Sequence, residues 1–182
     1  MEGVITTEPV KSLTPERIAD YIAKDGANAA RFERLRRYYL GKHDILNVTK
    51  AEHKPNNKLV NNFCSNIVNT TVGYYLGQPI TYNCTDDELL EEVSAINRYN
   101  DEALHNTGLA KDLSIYGVAV ELLYVDEDTE IRYTRLDPTE IIPVYSNGVD
   151  QSLAAVIRHY YATEQDRVDH IETVEVYDAV TM

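Results

Sequence analysis

Residues 54–77, KPNNKLVNNFCSNIVNTTVGYYLG, decide how this chain is read. Turn chemistry at Pro55, Asn56 and Asn57 gives way to apolar residues at Leu59, Val60, Phe63, Cys64, Ile67, Val68, Val72, Tyr75 and Leu76. That spacing predicts a helix of about five turns with one buried face. Gly77-Gln78-Pro79 predicts its end, because glycine tolerates the left-handed conformation past a helix and proline cannot continue one. Ile80-Thr81-Tyr82 then reads as a strand. The helix joins a basic, helical front part to an acidic, strand-rich back part, and it is expected to dock on that β layer.

Toward the amino terminus, residues 1–13 carry no periodic pattern and read as a loose arm. Thr14-Pro15-Glu16 is a helix start, with threonine as N-cap, proline at the first helical position and an acid in the first turn. That helix runs to Lys24 and breaks at Asp25-Gly26. A second follows over residues 27–40 and ends at Gly41. Its Phe32, Leu35, Tyr38 and Tyr39 form an apolar stripe, with Arg31, Arg34, Arg36 and Arg37 on the other faces. Residues 42–58 read as a loop.

Toward the carboxyl terminus, Thr85-Asp86-Asp87-Glu88 is a capping box opening a helix that holds Leu89, Leu90, Val93 and Ile96 and ends near Arg98 and Asn100. A further helix over residues 102–116 is expected to bury Leu104, Leu109, Leu113 and Tyr116 and to stop at Gly117. The period then changes. Residues 118–125 and 130–136, joined by a turn at 126–129, predict a β-hairpin. Asp137-Pro138 turns into a strand over 141–145, Asn147-Gly148 marks another turn, and residues 153–161 and 173–180 give two more strands. The expected fold class is α+β: amino-terminal helices packed on a small, mostly antiparallel sheet that is incomplete.

The chain has 182 residues, is 43% hydrophobic, and carries a net charge of −13 that is unevenly spread. Residues 1–58 hold 11 basic and 8 acidic residues, whereas 59–182 hold 6 basic and 22 acidic. The chain therefore divides into a basic helical arm, 1–58, and an acidic α+β part, 59–182. Tight binding of phosphates needs Lys and Arg, which excludes DNA gripping for the acidic part. Cys64 and Cys84 fit reduced, buried thiols. No run approaches the roughly eighteen apolar residues of a membrane span, and the first residues lack a signal-peptide pattern, so a cytoplasm-like setting is expected.

Chemistry finds no carrier in the pattern. His43, His53, His105, His159 and His170 share no metal-ligand spacing. Asp126, Asp128, Glu130 and Asp137 come nearest to a calcium loop, but Ile131 stands where that loop needs glycine. Neither a phosphate-binding glycine loop nor a nucleophile elbow is present, so no catalytic, metal or cofactor residue is assigned. Gly73 and Gly77 fit a spacing that permits close helix packing or simply ends the helix. The basic helix over residues 31–42, with its interleaved aromatics, has two readings. It holds RNA or DNA in a small cytoplasmic binding module, or it turns its arginines toward acids on a neighbouring copy.

Five blocks in order carry a resemblance: YYLGKHDIL (38–46), KPNNKLVNN (54–62), GYYLGQPITY (73–82), LAKDLSIYGVAVELLYVDED (109–128) and RLDPTEIIPVY (135–145). Over residues 38–161 the chain resembles the amino-terminal wing of tailed-bacteriophage portal proteins. The resemblance implies a non-enzymatic structural protein of the capsid portal vertex. It implies a homo-oligomeric ring of about twelve copies through which double-stranded DNA is packaged and ejected. The partners it implies are terminase, scaffolding or capsid proteins and head-completion proteins, with neither membrane nor small-molecule substrate; the location is the virion, and the host cytoplasm during assembly. Structural or assembly roles fall on the motif positions Gly41, Lys54, Pro55, Asn56, Asn57, Lys58, Asn61, Asn62, Gly73, Gly77, Tyr116, Gly117, Asp137 and Pro138. The likeness stops before the stem and clip that follow in the family, so the chain is expected to be the wing portion alone, whether as a fragment, a truncation or a decayed prophage gene product.

Overall fold

The computed structural model describes residues 5–7, 13–51, 53–146, 149, 151–163 and 170–178. Among these are five helices: α1 (Pro15–Lys24), α2 (Gly26–Tyr39), α3 (Phe63–Leu76), α4 (Asp87–Tyr99) and α5 (Glu102–Tyr116). There are six strands: β1 (Ile5–Thr7), β2 (Val120–Val125), β3 (Ile131–Leu136), β4 (Ile141–Ser146), β5 (Leu153–Thr163) and β6 (His170–Asp178). The class is α+β, as expected. Packing divides the chain into two bodies, residues 1–32 with 139–182 and residues 33–138. That division does not follow the change of charge after Lys58.

The first body is a four-stranded sheet in the order β1-β4-β5-β6. β4, β5 and β6 pair antiparallel, while β1 lies parallel to β4 with Ile5 opposite Val144. Three residues of the expected loose arm are therefore a strand. They are too few to show a period, and their pairing is set by the edge that β4 offers. Alternate residues of β4 and β5, Ile142, Val144, Ala155 and Ile157, face one core with Tyr21 of α1, and Leu13, Ile18 and Ile22 pack around it. The spacing of Ile18, Tyr21 and Ile22 gives α1 its single apolar stripe. Each of these large side chains contributes about 1.5–3 kcal/mol by leaving water. On β5, Arg158 joins Glu140 at 3.2 Å to Glu175 of β6 at 3.3 Å. Hydrogen bonds from the Tyr160 and Tyr177 hydroxyls, with Arg158 adding to them, hold the Glu175 carboxyl below the usual carboxylate range. The turn expected at Asn147-Gly148 and the strand end at Val180 lie outside the described residues.

The second body is helical, with a hairpin. α3 packs on α5, and α5 packs on β3. The expectation that α3 docks on a β layer is thus corrected, for its buried Val68 and Val72 face α5. β2 and β3 form a two-stranded sheet of their own. Such a hairpin is marginal alone and needs the helix behind it. α3 is also shorter than its apolar run. Asn62 caps it, accepting from the Ser65 amide at 3.2 Å, so Leu59 and Val60 lie ahead of the helix in irregular chain. Residues 80–82 are not a strand; the Tyr82 hydroxyl donates to Glu102, a side-chain tie in place of ladder bonds. Asp86 caps α4 in place of the expected Thr85, its Oδ1 accepting from the Glu88 and Leu89 amides. A carboxylate one residue closer takes the Glu88 amide that the threonine was expected to serve and the Leu89 amide besides.

Candidate functional site

The motif positions around residues 41–62 come together as a tied loop. Gly41 sits at φ +75, where a side chain is strained, and a Cβ there would meet Asn62 Nδ2 at 3.2 Å. Asn62 uses both ends of its amide, for its Nδ2 also donates to the Tyr39 carbonyl at 2.9 Å. Lys58 donates to the Leu46 carbonyl at 2.6 Å, Asn56 to that of Val48 at 3.1 Å, and Lys50 to that of Pro55 at 3.3 Å. One short loop therefore closes on itself through its own polar side chains. Lys54, Asn57 and Asn61 remain exposed on it.

A second group gathers at the far end of α5. Gly117, at φ +79, ends that helix by donating to the Leu113 carbonyl. Tyr116 is buried, and its hydroxyl is pushed up to about 12 by burial and then by the charge of Asp137. Arg36 reaches Asp137 at 3.5 Å, and Pro138 is fully buried. Gly77 behaves differently from expectation. It is right-handed, φ −69, and what excludes a larger residue is the Gly73 carbonyl, 2.3 Å from where its Cβ would be. Gly73 itself has open space around it, so no close helix approach among the described residues requires it.

Part of the basic face of α2 pairs with acids within this body. Asp44 accepts from the Tyr38 hydroxyl at 2.9 Å and from Arg37 at 3.0 Å, and Arg34 lies 3.8 Å away. Those two hydrogen bonds, tyrosine first, hold Asp44 below its usual range. Arg34 and Arg37 thus meet an acid of their own chain.

Three anchors escaped sequence reasoning, and all join helices to the hairpin. Asn100 donates to the Ile96 carbonyl at 2.8 Å and to that of Ile131 at 2.9 Å, and accepts from the Tyr133 amide at 3.2 Å. Arg135 Nη1 lies 2.9 and 3.0 Å from the two oxygens of buried Asp112. Gly108 makes room for that arginine, since a Cβ would meet Arg135 Cδ at 3.1 Å. The signal for the pair was a charge at position 112 in an otherwise apolar register. His105 meets Glu121 at 2.7 Å and stacks edge-on against Tyr133. Asp126, the first residue of the would-be calcium loop, instead serves the turn, its Oδ1 accepting from the Asp128 and Glu130 amides at 3.0 Å. Among the described residues no group of three or more potential ligands could hold a metal ion.

One open feature among the described residues is apolar. α3 turns Phe63, Ile67 and Tyr74 outward, 66%, 65% and 95% exposed, although sequence spacing suggested a single buried face. Leu59, Tyr75, Leu104 and Leu113, also expected in the interior, are exposed as well. Beside that face runs a cleft of about 620 Å³ walled by Val72, Tyr75, Leu76, Ile80, Leu109 and Leu113, with Tyr74 at its lip. No charged side chain lines it. Thr71, Tyr82, Asn106 and Ser114 are the polar residues among a mostly apolar lining, which is the chemistry of a contact surface.

Comparison with known proteins agrees in kind. The family described as phage portal protein, SPP1 Gp6-like, matches residues 18–181. The portal protein of Clostridium phage phiCD119 is 27% identical over 165 residues, covering 82% of this chain and 37% of that protein. That of Bacillus phage SPP1 is 25% identical over 136 residues, covering 68% of this chain and 27% of that protein. The chain thus spans well under half the length of these relatives. With a match that takes in nearly all of its residues, the chain belongs to the SPP1 Gp6-like family of phage portal proteins.

Proposed function

We propose that the chain is a structural part of a phage portal, contributing to a ring at the capsid vertex through which double-stranded DNA enters and leaves. The family match over residues 18–181 carries this reading. Charge supports it: residues 59–182 are acidic, and a conduit gains from weak adhesion because each added lysine–phosphate contact deepens a trap for moving DNA. On this reading the chain works without cofactor or catalysis, and ATP hydrolysis belongs to the terminase that docks on the portal. Scaffolding, capsid and head-completion proteins are its other partners, the ring holds about twelve copies, and it assembles in the host cytoplasm before joining the virion. The tied loop of Gly41, Asn56, Lys58 and Asn62 and the group of Tyr116, Gly117, Asp137 and Pro138 keep the wing rigid. Exposed Lys54, Asn57 and Asn61 are left for assembly contacts.

The competing reading, a nucleic-acid binder using residues 31–42, loses support because Arg34, Arg36 and Arg37 are engaged by Asp44 and Asp137. One experiment addresses both. The chain replaces the aligned segment of the Clostridium phage portal protein, and particles are inspected by electron microscopy while the chain alone is assayed for DNA retention across salt. The expected result is portal rings and filled heads, with little retention. A soluble chimera that builds no rings, or strong salt-sensitive retention abolished by R34E and R37E together, refutes the proposal.

A further inference from the structure

We propose that the outer face of α3 and the adjoining cleft form the surface through which copies of this chain associate, the α3 ridge of one copy seated in the cleft of the next. The inference deepens the portal reading and rests on it. Its starting point is that α3 is apolar on two opposed sides. Val68 and Val72 face α5, while Phe63, Ile67 and Tyr74, spaced by four and seven, form a stripe roughly half a turn away. A helix apolar all round is normally covered all round.

Area says what size of partner fits. Counting about 200 Å² for each large side chain in full exposure, the ridge together with Tyr75, Ile80 and Leu113 leaves on the order of 800 Å² uncovered. Monomers rarely show so large a contiguous apolar patch. Seated ridge in cleft, one contact covers about 450 Å² of apolar surface on one copy and about 370 Å² on the next, the size of a weak contact that a closed ring repeats.

Charge says which partner. Residues 59–85 contain no Asp, Glu, Lys, Arg or His, in a chain of net charge −13. Two such acidic copies repel over most of their surfaces, and this uncharged stretch is where they approach without that cost. Ridge and cleft also differ in shape while sharing one body, the arrangement a head-to-tail contact needs if it is to close into a ring.

The test uses the full 182-residue chain in sedimentation over a range of concentrations, with Ile67→Glu on the ridge and Leu113→Glu in the cleft. Both sites are more than half exposed, so each variant should keep its circular dichroism and melting temperature. The wild type should associate, and each variant should do so at least tenfold more weakly. An equimolar mixture of the two should recover a one-to-one pair and nothing larger, because only one ridge and one cleft remain intact. A wild type that stays monomeric at every concentration overturns the inference. So does association that both variants leave unchanged, a result that would leave the portal reading standing, since the chimera tests that separately.

Discussion

Replacing Arg135 with leucine isolates the cost of a buried carboxylate left without its partner. Asp112 is 5% exposed and has Arg135 Nη1 at 2.9 and 3.0 Å from its two oxygens. Breaking a buried pair costs about 3–5 kcal/mol. The Arg135 side chain is 48% exposed, so water recovers part of its role, and about 2–3 kcal/mol is the expected loss. Asp112→Ala removes the buried charge and leaves an arginine that can turn to solvent, for about 1 kcal/mol. The order of the two is the prediction. Its pH dependence follows from the sign of the Asp112 shift. Burial, working against the favourable charge of Arg135, already holds Asp112 above its usual 3.8, and losing the arginine raises it further. A carboxyl raised on folding contributes stability at low pH that is lost as pH rises through its folded value. The deficit of R135L should therefore be largest at neutral pH and shrink on acidification. Urea unfolding followed by tyrosine fluorescence reads this directly, since the chain has 14 tyrosines and no tryptophan. The reasoning fails if D112A costs as much as R135L, or if the R135L deficit stays constant as pH falls.

Gly41→Ala should lower stability by about 1–2 kcal/mol, from positive-φ strain and the tight approach of Asn62, and a smaller melting shift than Ala causes elsewhere in the loop would count against it. Asn62→Ala removes the α3 cap and the tie to Tyr39 together, about 1–2 kcal/mol, read as faster amide exchange at the first turn of α3. Asp25 is raised by burial, with the Asn28 amide only partly offsetting it, so carrying its charge costs the folded chain stability that the unfolded chain does not lose. Asp25→Asn should raise the melting temperature at neutral pH, and the gain should vanish at acid pH, where wild-type Asp25 is already protonated.

The fold was legible where one face of an element decides its fate. α5 begins and ends at the residues its pattern gives, and α1, α4, the hairpin and β4 fall within two residues of expectation. What the pattern missed has local causes. β1 is too short for any period. Asn62 and Asp86 each move a helix start, because a side chain that satisfies a free amide outweighs the apolar residues or the alternative cap before it. Residues 80–82 have β-forming side chains but no partner strand, and propensity alone does not make a ladder. Of the candidate site, Gly41 and Gly117 were readable as helix ends that take positive φ, whereas Gly77, placed by the same rule, is right-handed. The Asn62–Tyr39, Asn100–Ile131 and Asp112–Arg135 ties join residues 23, 31 and 23 apart, separations that no local spacing rule connects.

The charge pattern and the α3 face bear on one another. The front part of the sequence is net positive, and Asp44 and Asp137 beside Arg34, Arg36 and Arg37 offset part of the charge that an approaching phosphate would meet. The uncharged stretch has the opposite fate: its ridge and cleft are left open. A surface made this way holds apolar neighbours and repels polyanions, and both follow from placing neutral residues together and pairing the cations at home. Salt separates the two effects. Raising ionic strength should strengthen association through α3, by screening repulsion between acidic copies, and should do nothing to rescue I67E, whose defect is a charge buried against carbon rather than one facing another charge.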